Sequence, residues 1–270
     1  MALPVRIGVL RGLAKEVSAS SRDERPLAVG GVLAEVLAKE LGRGGDPRAI
    51  RTGGPEGAAA YVYVLGDRAT EQDEKVLKSA RRGKVATIVV TSSRDRIPYV
   101  LATDVVPLQP GKPFPVERIA TALAHRLGED GTALAARLPV LRGPVCARLV
   151  AEFARKNGIV GAAVFVPGAD LPLLLVNQLR LVLRIAAAYG QEIDGDRLPE
   201  VLATLGAGFA FRAVARELLG VVPVAGWAVK GGVAYAGTRA LGEAAIRYFE
   251  ARSPGSHVTP PRAGASLGAP

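Results

Sequence analysis

A chain of 270 residues has room for one large domain or two modest ones, and with 49% hydrophobic but only 5% aromatic residues its core must be built from Ala, Val, Leu and Gly. Thirty-five Lys and Arg against 25 Asp and Glu give a net charge of +10, which suits an anionic partner or simply an Arg- and Ala-rich, GC-rich coding sequence. One cysteine, Cys146, and two histidines, His125 and His257, exclude an intrachain disulfide, a thiolate metal cluster and a multi-histidine metal site.

The amino-terminal stretch MALPVRIGVLRGLAKEV lacks the apolar region and cleavage site of a secretory signal. Val5, Val9 and Leu13 recur every four residues, with Arg6, Arg11 and Lys15 elsewhere. This spacing predicts a short basic amphipathic helix within residues 1–25, either lying on a membrane or docked on the rest of the chain.

Residues 26–130 alternate strand and helix patterns. Pro26–Gly31 is a short apolar run ending in paired glycines, and Val32–Leu41 places Val32, Leu33, Val36, Leu37 and Leu41 on one helical face. Residues 42–57 read as a loop. Strands are expected at Ala60–Leu65, at Val85–Thr91 and within Val100–Leu108. Helices are expected at Glu71–Arg82, with Thr70 as its cap, and at Phe114–Leu127. The order predicts a three-layer α/β unit with a mostly parallel sheet, of the Rossmann or GTPase-like kind.

The phosphate grip of such a unit is missing. A P-loop needs glycines that let backbone N–H groups wrap the phosphates, a Lys for the outer oxygens and a hydroxyl for Mg²⁺. After Gly30-Gly31 come Val, Leu, Ala, Glu and Val, and after the strand at residues 85–91 only Asp95 matches the guanine-reading Asn-Lys-x-Asp pattern. The Gly30-Gly31 turn is a weak anion-site candidate or a plain strand-to-helix turn. No motif calls for a cofactor, and no enzyme activity is expected.

From residue 131 the pattern is helical. Leu134–Asn157 has helical periodicity that Pro139 and Gly143-Pro144 are expected to interrupt. The apolar passage Gly158–Val176 contains Pro167, Gly168, Asp170 and Pro172, so two short arms meeting at a bend are expected, buried in protein or dipping into one leaflet. A helix at Gln178–Gly190 carries Arg180 and Arg184, and a helix at Leu198–Leu219 carries Arg212 and Arg216. A second apolar passage, Leu218–Gly237, holds Lys230 as its only charge. Ala228, Gly232, Ala236, Ala240 and Ala244 recur every four residues, a seam along which two helices can approach, within the chain or with a protein partner or second copy. Val166-Pro167-Gly168 and Val222-Pro223 look like two versions of one bend, and residues 252–270 are expected to be a disordered tail.

The runs Ala169-Asp170-Leu171-Pro172, Asn177-Gln178, Ala187-Ala188-Tyr189-Gly190, Gly206–Arg216 and Gly237-Thr238-Arg239-Ala240-Leu241-Gly242 resemble the bacterial domain of unknown function 697 family, of the YcjF type. The likeness covers roughly residues 134–251. It implies an all-α domain over residues 131–251 and association with a membrane beside GTPase-like domains, so a degenerate GTPase-like unit at residues 26–130 fits it. The family supplies no catalytic residues to carry over.

Asp170 inside an apolar stretch must be paired, protonated or facing water. It caps the helix beginning at Leu171, or it joins Arg180, Arg184, Arg212, Arg216 and Lys230 in a site for an anionic ligand or lipid headgroup. The expectation is therefore a non-catalytic, membrane-associated accessory protein on the cytoplasmic side of a bacterial membrane. The alternative is a soluble nucleotide-binding regulator. Nucleic acid is not expected as a partner, because no basic patch is interleaved with aromatics.

Overall fold

The computed structural model describes residues 7–163, 171–191, 201 and 226–253. Helix α1 (Ile7–Ser20) leads into β1 (Leu27–Gly31), α2 (Ala34–Leu41), β2 (Ile50–Thr52), β3 (Ala60–Val64), α3 (Glu71–Arg82), β4 (Ala86–Thr91), β5 (Val105–Pro107) and α4 (Val116–Leu127). The rest is helical among the described residues: α5 (Gly131–Arg137), α6 (Pro139–Ala163), α7 (Leu171–Ala188) and α8 (Gly226–Glu250).

The five strands are all parallel in the order β2-β1-β3-β4-β5, with Leu27 opposite both Ile50 and Ala60. The chain winds outward in both directions from β1, which makes the sheet doubly wound. Side chains alternate across it, as the pleat requires. Leu27, Val29, Val62, Val64, Ile88 and Val90 face α2 and α4, while Ala28, Tyr61, Tyr63 and Val89 face α3 and Ile97. The expected α/β unit followed by a helical region is what the chain forms.

Local chemistry explains the elements and three departures from the sequence reading. Thr70 caps α3 in a reciprocal box: its hydroxyl accepts from the Asp73 amide at 3.3 Å, and the Asp73 carboxylate accepts from the Thr70 amide at 2.7 Å. Residues 42–57 are not merely loop, for Pro47–Ala49 form a 3-10 turn capped by Asp46 and feed the edge strand β2. Three residues are too few to show a period. Val32, Leu33 and Val36 do not join Leu37 and Leu41 in the core. Val32 and Leu33 lie in the turn before the helix, Leu33 in the left-handed region at φ 54°, so the face is read one turn too early. The helix through Pro144 is unbroken, since Pro139 opens α6 and a proline in its second turn removes only one backbone bond.

The helical part shares the sheet's core. Leu134, Leu138, Leu141, Val145, Leu149 and Phe153 belong to the same buried cluster as Leu27 and Val29. Beside it, the Arg137 guanidinium donates to the carbonyls of Asp23 (3.2 Å), Glu24 (3.0 Å) and Arg25 (2.7 Å), clamping the entry to β1. Helices α6 and α8 run antiparallel at close range. A Cβ on Gly231 would lie 2.8 Å from the Gly158 carbonyl, and one on Gly242 would lie 2.5 Å from Val150 Cγ2. The close approach therefore uses Gly231, Ala234, Thr238 and Gly242. The stripe Gly232, Ala236 and Ala240 is exposed instead, one residue out of register with the buried one. As a seam within the chain that expectation is corrected. Nothing is described of the Ala228 side chain.

Candidate functional site

The carboxyl edge of a doubly wound sheet, where the winding reverses between β1 and β3, is the usual ligand crevice of such folds. Here the two glycines at that point have structural duties. A Cβ on Gly30 would strike the Tyr61 hydroxyl and lie 2.8 Å from the Gly53 carbonyl, because the helix-free connection from β2 to β3 passes over it. Gly31 turns at φ +85°, and a Cβ there would collide with the Val64 carbonyl. The next residues, Val32 and Leu33, present exposed apolar side chains rather than phosphate-binding groups. Asp95 lies in a turn, its amide bonded to the Ser93 hydroxyl at 3.1 Å. At the opposite edge of the sheet, β5 and α4 border a shallow hollow of about 730 Å³ lined by Asp104, Arg118, His125 and Arg126 among others. There Arg126 pairs with Asp104 at 3.6 Å.

The arginines singled out in the sequence lie elsewhere, on the flank of the helical part. Arg184 is 8% exposed and pairs with Glu129 at 2.7 Å. Lys156 bridges Glu129 at 2.9 Å and Glu152 at 2.8 Å. Burial works to raise the Glu129 carboxyl, yet the Lys156 hydrogen bond and the Arg184 and Lys156 charges hold it below the ordinary glutamate range. Arg180 pairs with Glu16 of α1 at 2.9 Å. Arg180 and Arg184 are thus each paired with a glutamate, and both charges also act on Glu129. Lys230 is half-buried near the start of α8. Asp170, Arg212 and Arg216 lie outside the described residues, as do the two Pro bends, the helix expected at 198–219 apart from residue 201, and most of the tail.

Next to Lys156 a polar layer crosses the three long helices. Asn157 Nδ2 donates to Thr238 Oγ1 at 2.9 Å, Asn177 Nδ2 donates to Asn157 Oδ1 at 2.8 Å, and the Thr238 hydroxyl donates to the Ala234 carbonyl at 2.8 Å. Asn157 and Thr238 are fully buried. Such groups are tolerated in a core only when bonded, and the layer fixes the register of α6, α7 and α8.

Beyond that layer the character of the bundle changes. Ile159, Leu173, Val233 and Tyr235 are all exposed large apolar residues, and they lie within two turns of the layer at one end of the three helices. Exposed Arg155 and half-buried Lys230 flank them. Among the described residues no helix is long and apolar enough to cross a membrane, and no group of three His, Cys, Asp or Glu is placed to hold a metal. Cys146 is buried in the core, its thiol pushed up to about 12 by burial. Comparison with known protein families, characterised proteins and solved structures finds no match.

The sequence reading missed the polar layer and the apolar tip. Asn157, Asn177 and Gln178 inside apolar helical runs were the available signal. Which of the apolar residues at the tip face outward depends on how the three helices are rotated, which periodicity alone does not fix.

Proposed function

We propose that the protein is a non-catalytic accessory scaffold that rests, by the tip of its helical part, on an anionic membrane surface at the cytoplasmic face of a bacterial cell membrane. The observation that carries this reading is that Ile159, Leu173, Val233 and Tyr235 are each exposed near one end of α6, α7 and α8. Apolar side chains rimmed by basic ones suit the boundary between headgroups and acyl chains. The net charge of +10 adds attraction to an anionic leaflet. The α/β unit is then a platform held away from the lipid. The resemblance of residues 134–251 to a family found beside GTPase-like domains would make a protein partner on that platform the natural counterpart.

Vesicle sedimentation tests it. The protein should pellet with vesicles containing phosphatidylglycerol at low salt and much less with phosphatidylcholine alone. Replacing Ile159→Ser and Leu173→Ser together should abolish pelleting without changing net charge. Equal binding by that variant sinks the reading.

A second reading, a nucleotide-binding regulator, is favoured by the doubly wound strand order. Titration calorimetry with GTP, GDP and ATP plus Mg²⁺ tests it, and absence of heat at millimolar ligand ends it.

A further inference from the structure

Helix α1 packs on the bundle outside the core that joins it to the sheet. Its buried side chains Leu13 and Val17 form a small cluster with Leu179 and Leu183 of α7, apart from the core that joins the sheet to the bundle. Ala14, Leu175, Val176 and Ala187 complete that cluster. The Glu16–Arg180 ion pair spans the interface with both side chains partly exposed, a geometry that adds little. Gly8 and Gly12 lie inside α1, and a Cβ on either would meet nothing within 4 Å. Packing does not require them, and they weaken the helix. By contrast the residues just after α1 are fixed, since Arg137 holds the carbonyls of Asp23, Glu24 and Arg25. The amides of Ser21 and Arg22 bond back to the carbonyls of Val17 and Ala19 in the helix, so the pivot falls at the link between Arg22 and the anchored Asp23.

We propose that α1 is a releasable strap: it covers an apolar stripe of α7 at Leu175, Val176, Leu179 and Leu183 and swings about the link between Arg22 and Asp23 to bare it. The stripe adjoins the exposed tip, because Leu173 and Val176 are three residues apart on one helix and share a flank. With the strap docked, the described part of the bundle offers lipid its tip. With the strap away, tip and stripe make one longer apolar surface, and the freed helix adds its own apolar face. The proposal rests on the membrane reading above and adds a control to it.

Two variants of the full chain hold the strap in opposite states. Glu16→Cys with Arg180→Cys, joined by a short bis-maleimide, fixes it down, and buried Cys146 stays unlabelled. Leu13→Ser with Val17→Ser releases it without altering charge. In the wild-type protein the α1 amides should exchange with deuterium at least about 100-fold faster than those at the centre of α6, the signature of local opening. On phosphatidylglycerol vesicles the released variant should bind about tenfold more tightly than wild type, and the linked protein about tenfold more weakly than before linking. If linking leaves vesicle affinity unchanged while Ile159→Ser with Leu173→Ser abolishes it, the strap is wrong and the tip stands. If the tip variant also binds unchanged, both fall. Should the serine pair fail to fold, exchange in the wild type and the linked protein still decide the matter. Protection of α1 equal to that of α6 overturns the strap outright.

Discussion

The sheet and the helical bundle specify their packing by different means. In the sheet the pleat and parallel pairing decide which side chains turn inward, and glycines act at the points where the chain turns or crosses, as Gly31 and Gly30 do. In the bundle, direction comes from how each helix is rotated, and that rotation is set by glycine contacts and a polar layer. The first region tolerates change at its surface but not at its turns. The second depends on a few interior positions along its length.

The largest test of this contrast concerns the join between the two. Phe153 is buried in the cluster that includes both parts, so Phe153→Ala should cost about 3–5 kcal/mol and lower the stability of sheet and bundle together. Denaturation followed by amide exchange in β3 and in α6 should show one transition. Two separated transitions would break the shared-core account. Next come the glycines. Gly31→Ala in the sheet and Gly231→Ala in the bundle should each cost about 1–3 kcal/mol, the first by strain at positive φ, the second by wedging α8 from α6. Gly232→Ala, at an exposed site one residue away, should be neutral or slightly stabilising in thermal melts. A penalty there as large as at Gly231 would overturn the observed register.

Removing one amide from the polar layer, Asn157→Ala, leaves the Asn177 donor without its acceptor and should cost about 1–3 kcal/mol by urea titration. The cap of α3 is a smaller matter, with Thr70→Ala expected to cost about 1 kcal/mol. Acid provides the mildest probe. Glu129 is held below its ordinary value in the folded state, so its contribution is present above about pH 4.3, the unfolded value, and fades as pH falls through the folded one. Glu129→Gln should flatten the stability curve below pH 5, and an unchanged slope would deny the ion cluster a part in acid sensitivity.

The contrast also explains what could be read in advance. The strands at residues 60–64 and 86–91, the cap at Thr70 and the stop at Gly190 carry local signals of β-branched apolar runs, side-chain capping and left-handed backbone, and all are where the sequence placed them. Strand β2 gives no such signal because it is three residues long. In the bundle the existence of helices was legible but their facing was not. One residue turns a helix by about 100°, so Ala-rich runs offer several equivalent stripes, and only the tertiary contacts at Gly158, Gly161 and Gly231 select among them. The arginines at 180 and 184 were visible as a charged face, whereas their partners Glu16 and Glu129 lie far away in the chain. Of the candidate site, then, composition gave the charge and folding decided where it was cancelled.

The Arg137 clamp has a consequence for biosynthesis. The carbonyls it grips precede the first strand of the sheet, yet the guanidinium that grips them is made more than a hundred residues later. A nascent chain that has emerged only through β5 holds all five strands but not this latch. Ribosome-bound intermediates of that length should therefore be easily cleaved near Arg22 and Arg25, and become resistant once α5 has cleared the exit tunnel.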